Sequence, residues 1–124
     1  MQISCGTDII EIDRIKESIE SLGENFINKI YTQNEINYCE SKHKMKFEHY
    51  AARFAAKEAI FKAISKTLED KYSITWKDVE ILNDKNGRPY VNLITKKIEK
   101  IQDIDISLSH CQKYAIANVI IILK

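Results

Sequence analysis

Apolar positions along the chain change period several times, and each change marks a predicted element. Residues 1–6 read as a short strand ending at Gly6. Ile9, Ile12, Ile15, Ile19 and Leu22 then recur at helical spacing, and Gly23 closes that helix. Segments 25–31 and 32–41 read as short helices. Thr32 is placed to cap the second, with Glu35 completing a capping box. Residues 44–68 form the strongest predicted helix, with Phe47, Ala51, Phe54, Phe61 and Leu68 along one stripe. A hairpin follows: the strand DVEIL, the pair Asn86-Gly87 in a type I′ turn, and the strand RPYVNLI. Residues 94–101 are amphipathic and read as helical. DIDISLSH alternates with period two, as a half-buried strand does, and YAIANVIIIL closes the chain as a last strand. The sum is one α+β domain over residues 1–124, a small antiparallel sheet packed with helices.

The last strand carries an additional implication. Val119 to Leu123 are apolar without alternation, so both faces of the strand call for cover. A domain this small has little material to cover both, which points to association between subunits.

Composition then narrows the classes of function. Hydrophobic residues make up 44% of the 124, which excludes a disordered chain, and that length buries roughly two-thirds of its unfolded surface. A net charge of +1 gives no global attraction to nucleic acid or to an anionic membrane. Cys5, Cys39 and Cys111 are too few and too scattered for a disulfide framework or a zinc site. The N-terminus lacks the basic and apolar regions of a signal peptide. The longest apolar run, Ala115 to Leu123, is interrupted by Asn118 and too short to cross a bilayer as a helix. These features together predict a cytoplasmic protein. Of 19 cations only Arg14, Arg53 and Arg88 are arginine, so arginine marks positions where its planar fork can matter.

Several residues can carry chemistry. Glu58 lies four residues after Phe54 and three before Phe61, on the apolar stripe of the long helix, where a carboxylate needs a partner. Lys62 follows at i+4, so an ordinary helix ion pair is the simplest reading. Asp8 stands between strand and helix, with Glu11 three residues on, as an N-cap would. The alternative is that Asp8 and Glu58 are two oxygen ligands of Mg²⁺, which takes one or two carboxylates and completes its shell with water and phosphate. His110 falls in phase with Ile104, Ile106 and Leu108, as a core histidine or as a phosphate contact. Lys42, His43, Lys44 and Lys46, with Arg53, form either a solvated face or a site for a phosphorylated ligand.

The order of these segments is informative as a set. G-T-D-I-x-x-I-x-R at Gly6–Arg14, R-F-A-x-K-E-A-x-x-K-A at Arg53–Ala63, N-G-R-P at Asn86–Pro89 and S-x-S-H at Ser107–His110 resemble the pattern of holo-acyl-carrier-protein synthases, the small phosphopantetheinyl transferases. The resemblance covers nearly the whole chain. It implies a homotrimer with sites in the clefts between subunits, and a reaction in which a serine of apo acyl carrier protein attacks coenzyme A in the presence of Mg²⁺. Carried over by motif position, Asp8 and Glu58 would hold the metal and Lys62 would contact the pyrophosphate. Arg53 and His110 would meet the 3′-phosphate. Asn86, Gly87 and Pro89 would line the adenine pocket, with Ser109 nearby. Arg14 would face the acidic helix of the carrier protein. Ser65 stands where the family commonly has glycine, beside the adenine pocket, and the helix after Asp8 is less basic than is usual in the family. Docking would then lean also on Lys29 and the cluster at 42–46. A non-catalytic nucleotide- or RNA-binding module is the alternative, and metal dependence separates the two.

Overall fold

A computed structural model describes residues 2–65, 74–95 and 97–124. The elements are β1 (Gln2–Glu11), α1 (Ile12–Leu22), α2 (Glu24–Ile30), α3 (Gln33–Glu40), α4 (Lys46–Ile64), β2 (Val79–Asn83), β3 (Pro89–Leu93), β4 (Ile101–His110) and β5 (Tyr114–Leu123). β1, β5 and β4 form an antiparallel sheet in that order, and β2 pairs with β3 as a separate hairpin. α4 lies across the inner face of β1 and β5, and the small helices α1–α3 pack on its other flank.

Helix α4 is thus covered on most of its circumference. Its deeply buried apolar positions are Tyr50, Ala51, Ala52, Ala55, Ala56, Ala59, Ile60, Ala63 and Ile64, and the phenylalanines Phe47, Phe54 and Phe61 are only half-buried. The expected Phe47–Phe61 stripe is therefore the rim of the buried surface, and alanines make its centre. They let a strand backbone come against the helix. A Cβ on Gly6 would lie 2.0 Å from the Ala59 carbonyl oxygen, and Ser4 Oγ donates to Ala63 O at 2.6 Å. Two apolar clusters result, one between α4, the sheet and the hairpin, and one among α1–α3 and the first half of α4.

Four expectations about local structure change. β1 does not end at Gly6 but runs to Glu11, because Gly6 to Glu11 pair residue by residue with Val119 to Tyr114 of β5. Asp8 is therefore a strand residue and no N-cap; α1 begins at Ile12 after Glu11, which makes no side-chain cap. The long helix begins at Lys46, after a single turn at His43–Met45 in which His43 takes a left-handed φ of 53°. Its predicted last residues, including Leu68, lie outside the described residues. The hairpin loop is not a two-residue I′ turn, since Gly87 (φ 82°) has a positive φ and Asn86 does not. Asp84 organises it instead: its Oδ1 accepts from the amides of Asn86 and Arg88, and its carbonyl accepts from Gly87 N–H. Finally, 94–101 is not helical among its described residues; Ile98 is buried in a turn-rich approach to β4, and Ile101 opens that strand. The two short helices and the Thr32–Glu35 capping box stand as expected.

Strand β5 alternates in burial although its sequence does not. Ala115, Ala117, Val119, Ile121 and Leu123 face α4. On the opposite face of the sheet Ile120 is 56% exposed, and the same face carries Ile3 at 57% and Ile9 at 59%. The outer sheet face thus presents an isoleucine surface to solvent.

One buried polar hub joins the elements. Lys57 and Glu35 are both fully buried and 2.7 Å apart. Lys57 Nζ also donates to the carbonyls of Ile30 (2.7 Å) and Trp76 (3.0 Å), and Glu35 Oε2 accepts from Ile81 N–H (2.9 Å). Burial draws the Lys57 ammonium toward neutrality and Glu35 opposes this. Every atom of the pair is satisfied, so removing either partner strands a buried charge at a cost of about 3–5 kcal/mol.

Candidate active site

The inner face of β1 places Asp8 beside α4. Its side chain is 17% exposed, and Lys62 Nζ donates both to Asp8 Oδ1 at 3.1 Å and to Thr7 O at 3.0 Å. Lys62 therefore reaches back to the strand. Glu58, one turn earlier on the same flank of α4, is half-buried. Its carboxyl is shifted upward, first by burial, then by the negative charge of Asp8, with Lys62 opposing. Two carboxylates and one ammonium thus come together across the β1–α4 packing, as the motif spacing anticipated.

Asp8 and Glu58 line a cleft of about 870 Å³ together with Arg14, Phe26, Phe54 and Tyr114. Its wall mixes charged and apolar side chains, with Phe26 and Phe54 beside Asp8, Arg14 and Glu58. Arg14 is exposed on α1, so its fork is free to meet a partner from solvent. Among the described residues, no group of three or more His, Cys, Asp or Glu side chains could hold a metal alone. The Asp8–Glu58 pair fits a hard cation that draws its remaining ligands from substrate and water, because such a cation relieves the repulsion that raises Glu58.

The remaining candidates stand elsewhere. Arg53 is 2% exposed; its Nη2 donates to Asn83 Oδ1 at 2.5 Å, and its guanidinium lies 4.2 Å from the Tyr38 ring centroid. Asn83 in turn donates to Gly87 O at 2.9 Å, so Arg53 is tied to the loop that holds Asn86, Gly87 and Pro89. His110, at the end of β4, is not a core histidine; its side chain is 43% exposed and pairs with Glu48 at 3.3 Å. Ser109 is exposed beside it, and Ser65 is exposed at the end of α4 with its hydroxyl on Lys62 O. Asn83, Tyr38 and His49 join this region unannounced, since nothing local in the sequence marks them.

The structure brings Asp8, Glu58, Lys62 and Arg14 to one side and Arg53, the hairpin loop and His110 to another. On a helix of about 100° per residue, Arg53 and Glu58 point about 140° apart. One chain does not gather both groups around a single point.

A family model for the 4′-phosphopantetheinyl transferase superfamily matches residues 4–119. The holo-acyl-carrier-protein synthase of Ruminiclostridium cellulolyticum is 46% identical over 99% of this chain and 94% of its own length. Among solved structures, the Chronobacterium ammoniagenes ACPS–CoA complex superposes with a TM-score of 0.84 at 25% identity, covering 100% of this chain and 99% of that one. The Helicobacter pylori holo-acyl-carrier-protein synthase in complex with coenzyme A gives 0.82 at 28% identity, over 94% and 98%. The strand–helix contact that unites Asp8, Glu58 and Lys62 lies inside the matched span, and the chain belongs to the 4′-phosphopantetheinyl transferase superfamily, within it to the holo-acyl-carrier-protein synthase enzymes.

Proposed function

We propose that the chain moves the 4′-phosphopantetheine arm of coenzyme A to a serine of apo acyl carrier protein, in support of fatty acid biosynthesis in the cytoplasm. The observation that carries this reading is the meeting of Asp8 and Glu58 in one cleft, with Lys62 paired to Asp8 at 3.1 Å. In the reaction the serine oxygen bonds the β-phosphorus, the bridging P–O bond of the pyrophosphate breaks, and adenosine 3′,5′-bisphosphate leaves with the bond's electron pair. The serine proton passes to a general base, for which Glu58 is the half-buried carboxylate of the cleft. Lys62 neutralises charge on the pyrophosphate oxygens. Asp8 and Glu58 would hold Mg²⁺, which supplies further charge neutralisation at the phosphoryl groups when bound. The test is release of adenosine 3′,5′-bisphosphate that requires apo carrier protein with its serine intact. Release from coenzyme A and water alone contradicts a transferase.

Arg53 and His110 would meet the 3′-phosphate, with Asn86, Gly87, Pro89, Ser65 and Ser109 around the adenine. Because Arg53, the hairpin loop and His110 lie away from the flank of α4 that carries Glu58, Lys62 and Ser65, a single coenzyme A touches both groups only if two subunits supply them. The exposed Ile3, Ile9 and Ile120 offer the surface for that contact, and the family resemblance implies three subunits. Ile120→Asp is expected to change the sedimenting species from three times the 14.4 kDa chain mass to one, with loss of transfer. An active Ile120→Asp monomer contradicts shared sites. Arg14 would pair with a carboxylate of the carrier protein's acidic helix.

A further inference from the structure

A second cluster of cations and imidazoles surrounds Tyr38, away from the Asp8–Glu58 cleft. Arg53 lies 4.2 Å and Lys42 4.7 Å from the Tyr38 ring centroid. His49 packs edge-on against the same ring, centroids 5.5 Å apart, and against His110 at 6.3 Å. Four elements contribute: α3 with Tyr38, the α3–α4 connection with Lys42, α4 with Glu48, His49 and Arg53, and β4 with His110. Glu48 is the one carboxylate among these groups, and it is committed to His110 at 3.3 Å. Among the described residues, Arg53 Nε is buried without a hydrogen-bond partner. A buried guanidinium N–H without an acceptor, close to Lys42 and two imidazoles, is a donor that an anionic oxygen would satisfy.

We propose that His49 is a phosphate-recognition residue of this cluster, and that binding of a phosphomonoester here is accompanied by protonation of His49. The proposal rests on reading Arg53 and His110 as contacts of the 3′-phosphate and adds to them a residue that no motif names. Without ligand, burial, then Arg53, Lys42 and His110, lower the His49 imidazole to about 4, so it is neutral at physiological pH. A phosphate dianion set among the same cations reverses the local field and favours imidazolium. Binding therefore takes up a proton, and affinity for the phosphomonoester weakens as pH rises from the free His49 pKa of about 4 toward the higher value it takes in the complex. The benefit is discrimination: a nucleotide lacking that phosphate leaves Arg53 and Lys42 beside a neutral His49 without an anion among them.

Calorimetry of the assembled enzyme tests this, with adenosine 3′,5′-bisphosphate and adenosine 5′-monophosphate as probes, in two buffers of different ionisation enthalpy at one pH. The expected result is a proton uptake with the bisphosphate that the monophosphate lacks. His49→Phe, which keeps the ring packing, is expected to lose that uptake and to bind the bisphosphate about tenfold more weakly, with the monophosphate unchanged. His49→Gln is expected to lose the uptake while recovering part of the affinity. If both His49 variants keep wild-type uptake and affinity while His110→Ala still loses preference for the bisphosphate, the His49 proposal is overturned and the site stands. If His110→Ala and the His49 variants all leave the preference intact, the reading of this cluster as a phosphate site falls with it.

Discussion

Asp8→Asn and Glu58→Gln are each expected to lower the turnover number by about 10²- to 10³-fold, the size of effect seen when one charge-stabilising contact to a developing transition state is removed. Both replacements are isosteric, and neither disturbs a core contact. Asp8 sits in a strand whose backbone is fixed by pairing with β5. Asn at this position keeps the shape but gives up the charge opposite Lys62. Gln at position 58 removes one of two repelling carboxylates, so its thermal stability should match or slightly exceed wild type. The metal requirement should show the same logic in its pH dependence. Burial and the charge of Asp8 raise the proton affinity of Glu58, and its protonation as pH falls withdraws a ligand. The Mg²⁺ concentration for half-maximal activity should therefore rise as pH falls, and in Glu58→Gln that dependence should flatten. Initial rates across a Mg²⁺ titration at several pH values measure both. A Glu58→Gln enzyme with wild-type turnover at limiting Mg²⁺ removes Glu58 from the metal site.

Gly6→Ala is expected to abolish the fold rather than weaken it. The added methyl would stand 2.0 Å from the Ala59 carbonyl oxygen and 3.1 Å from Ala63 N. Both are helix backbone atoms, so no side-chain movement relieves the clash. The strand cannot lift away, because Ser4 bonds Ala63 O on the same side and the ladder to β5 holds the other. Overpacking against side chains costs about 1–3 kcal/mol, and a backbone clash exceeds that. A domain of this size holds only about 5–15 kcal/mol in total. Separation of β1 from α4 would also part Asp8 from Glu58, so activity and stability should fall together. Urea unfolding followed by circular dichroism decides the matter. A Gly6→Ala protein within about 1 kcal/mol of wild type contradicts the close approach.

The local signals in the chain were legible where local physics decides the outcome. The Thr32–Glu35 capping box, the stop at Gly23, the alternation of DIDISLSH and the presence of the central helix all rest on neighbours in sequence. The start of the chain was misread because Ile9 and Ile12 fit a helical period while Ile10 and Ile12 fit an alternating one. Pairing with β5, more than a hundred residues away, selects the strand as far as Glu11. That choice matters for chemistry, since it makes Asp8 a residue pinned against α4 instead of a cap. The candidate site was legible through motif order, and only the structure shows that it divides between two flanks of α4. Lys57 and Glu35 gave no separate signal, because each satisfies a partner distant in sequence. Asn83 and His49 were silent for the same reason. The isoleucines of the outer sheet face were visible as missing alternation in β5, although the burial along that strand alternates strictly.

The most direct measurement is the intact mass of an apo acyl carrier protein after incubation with the enzyme, coenzyme A and Mg²⁺. The expected result is a gain of one phosphopantetheine group on a single serine, none on a carrier whose serine is replaced by alanine, and a rate of gain about 10²- to 10³-fold lower with Asp8→Asn. An unchanged carrier mass under conditions where the enzyme is folded and binds coenzyme A contradicts it.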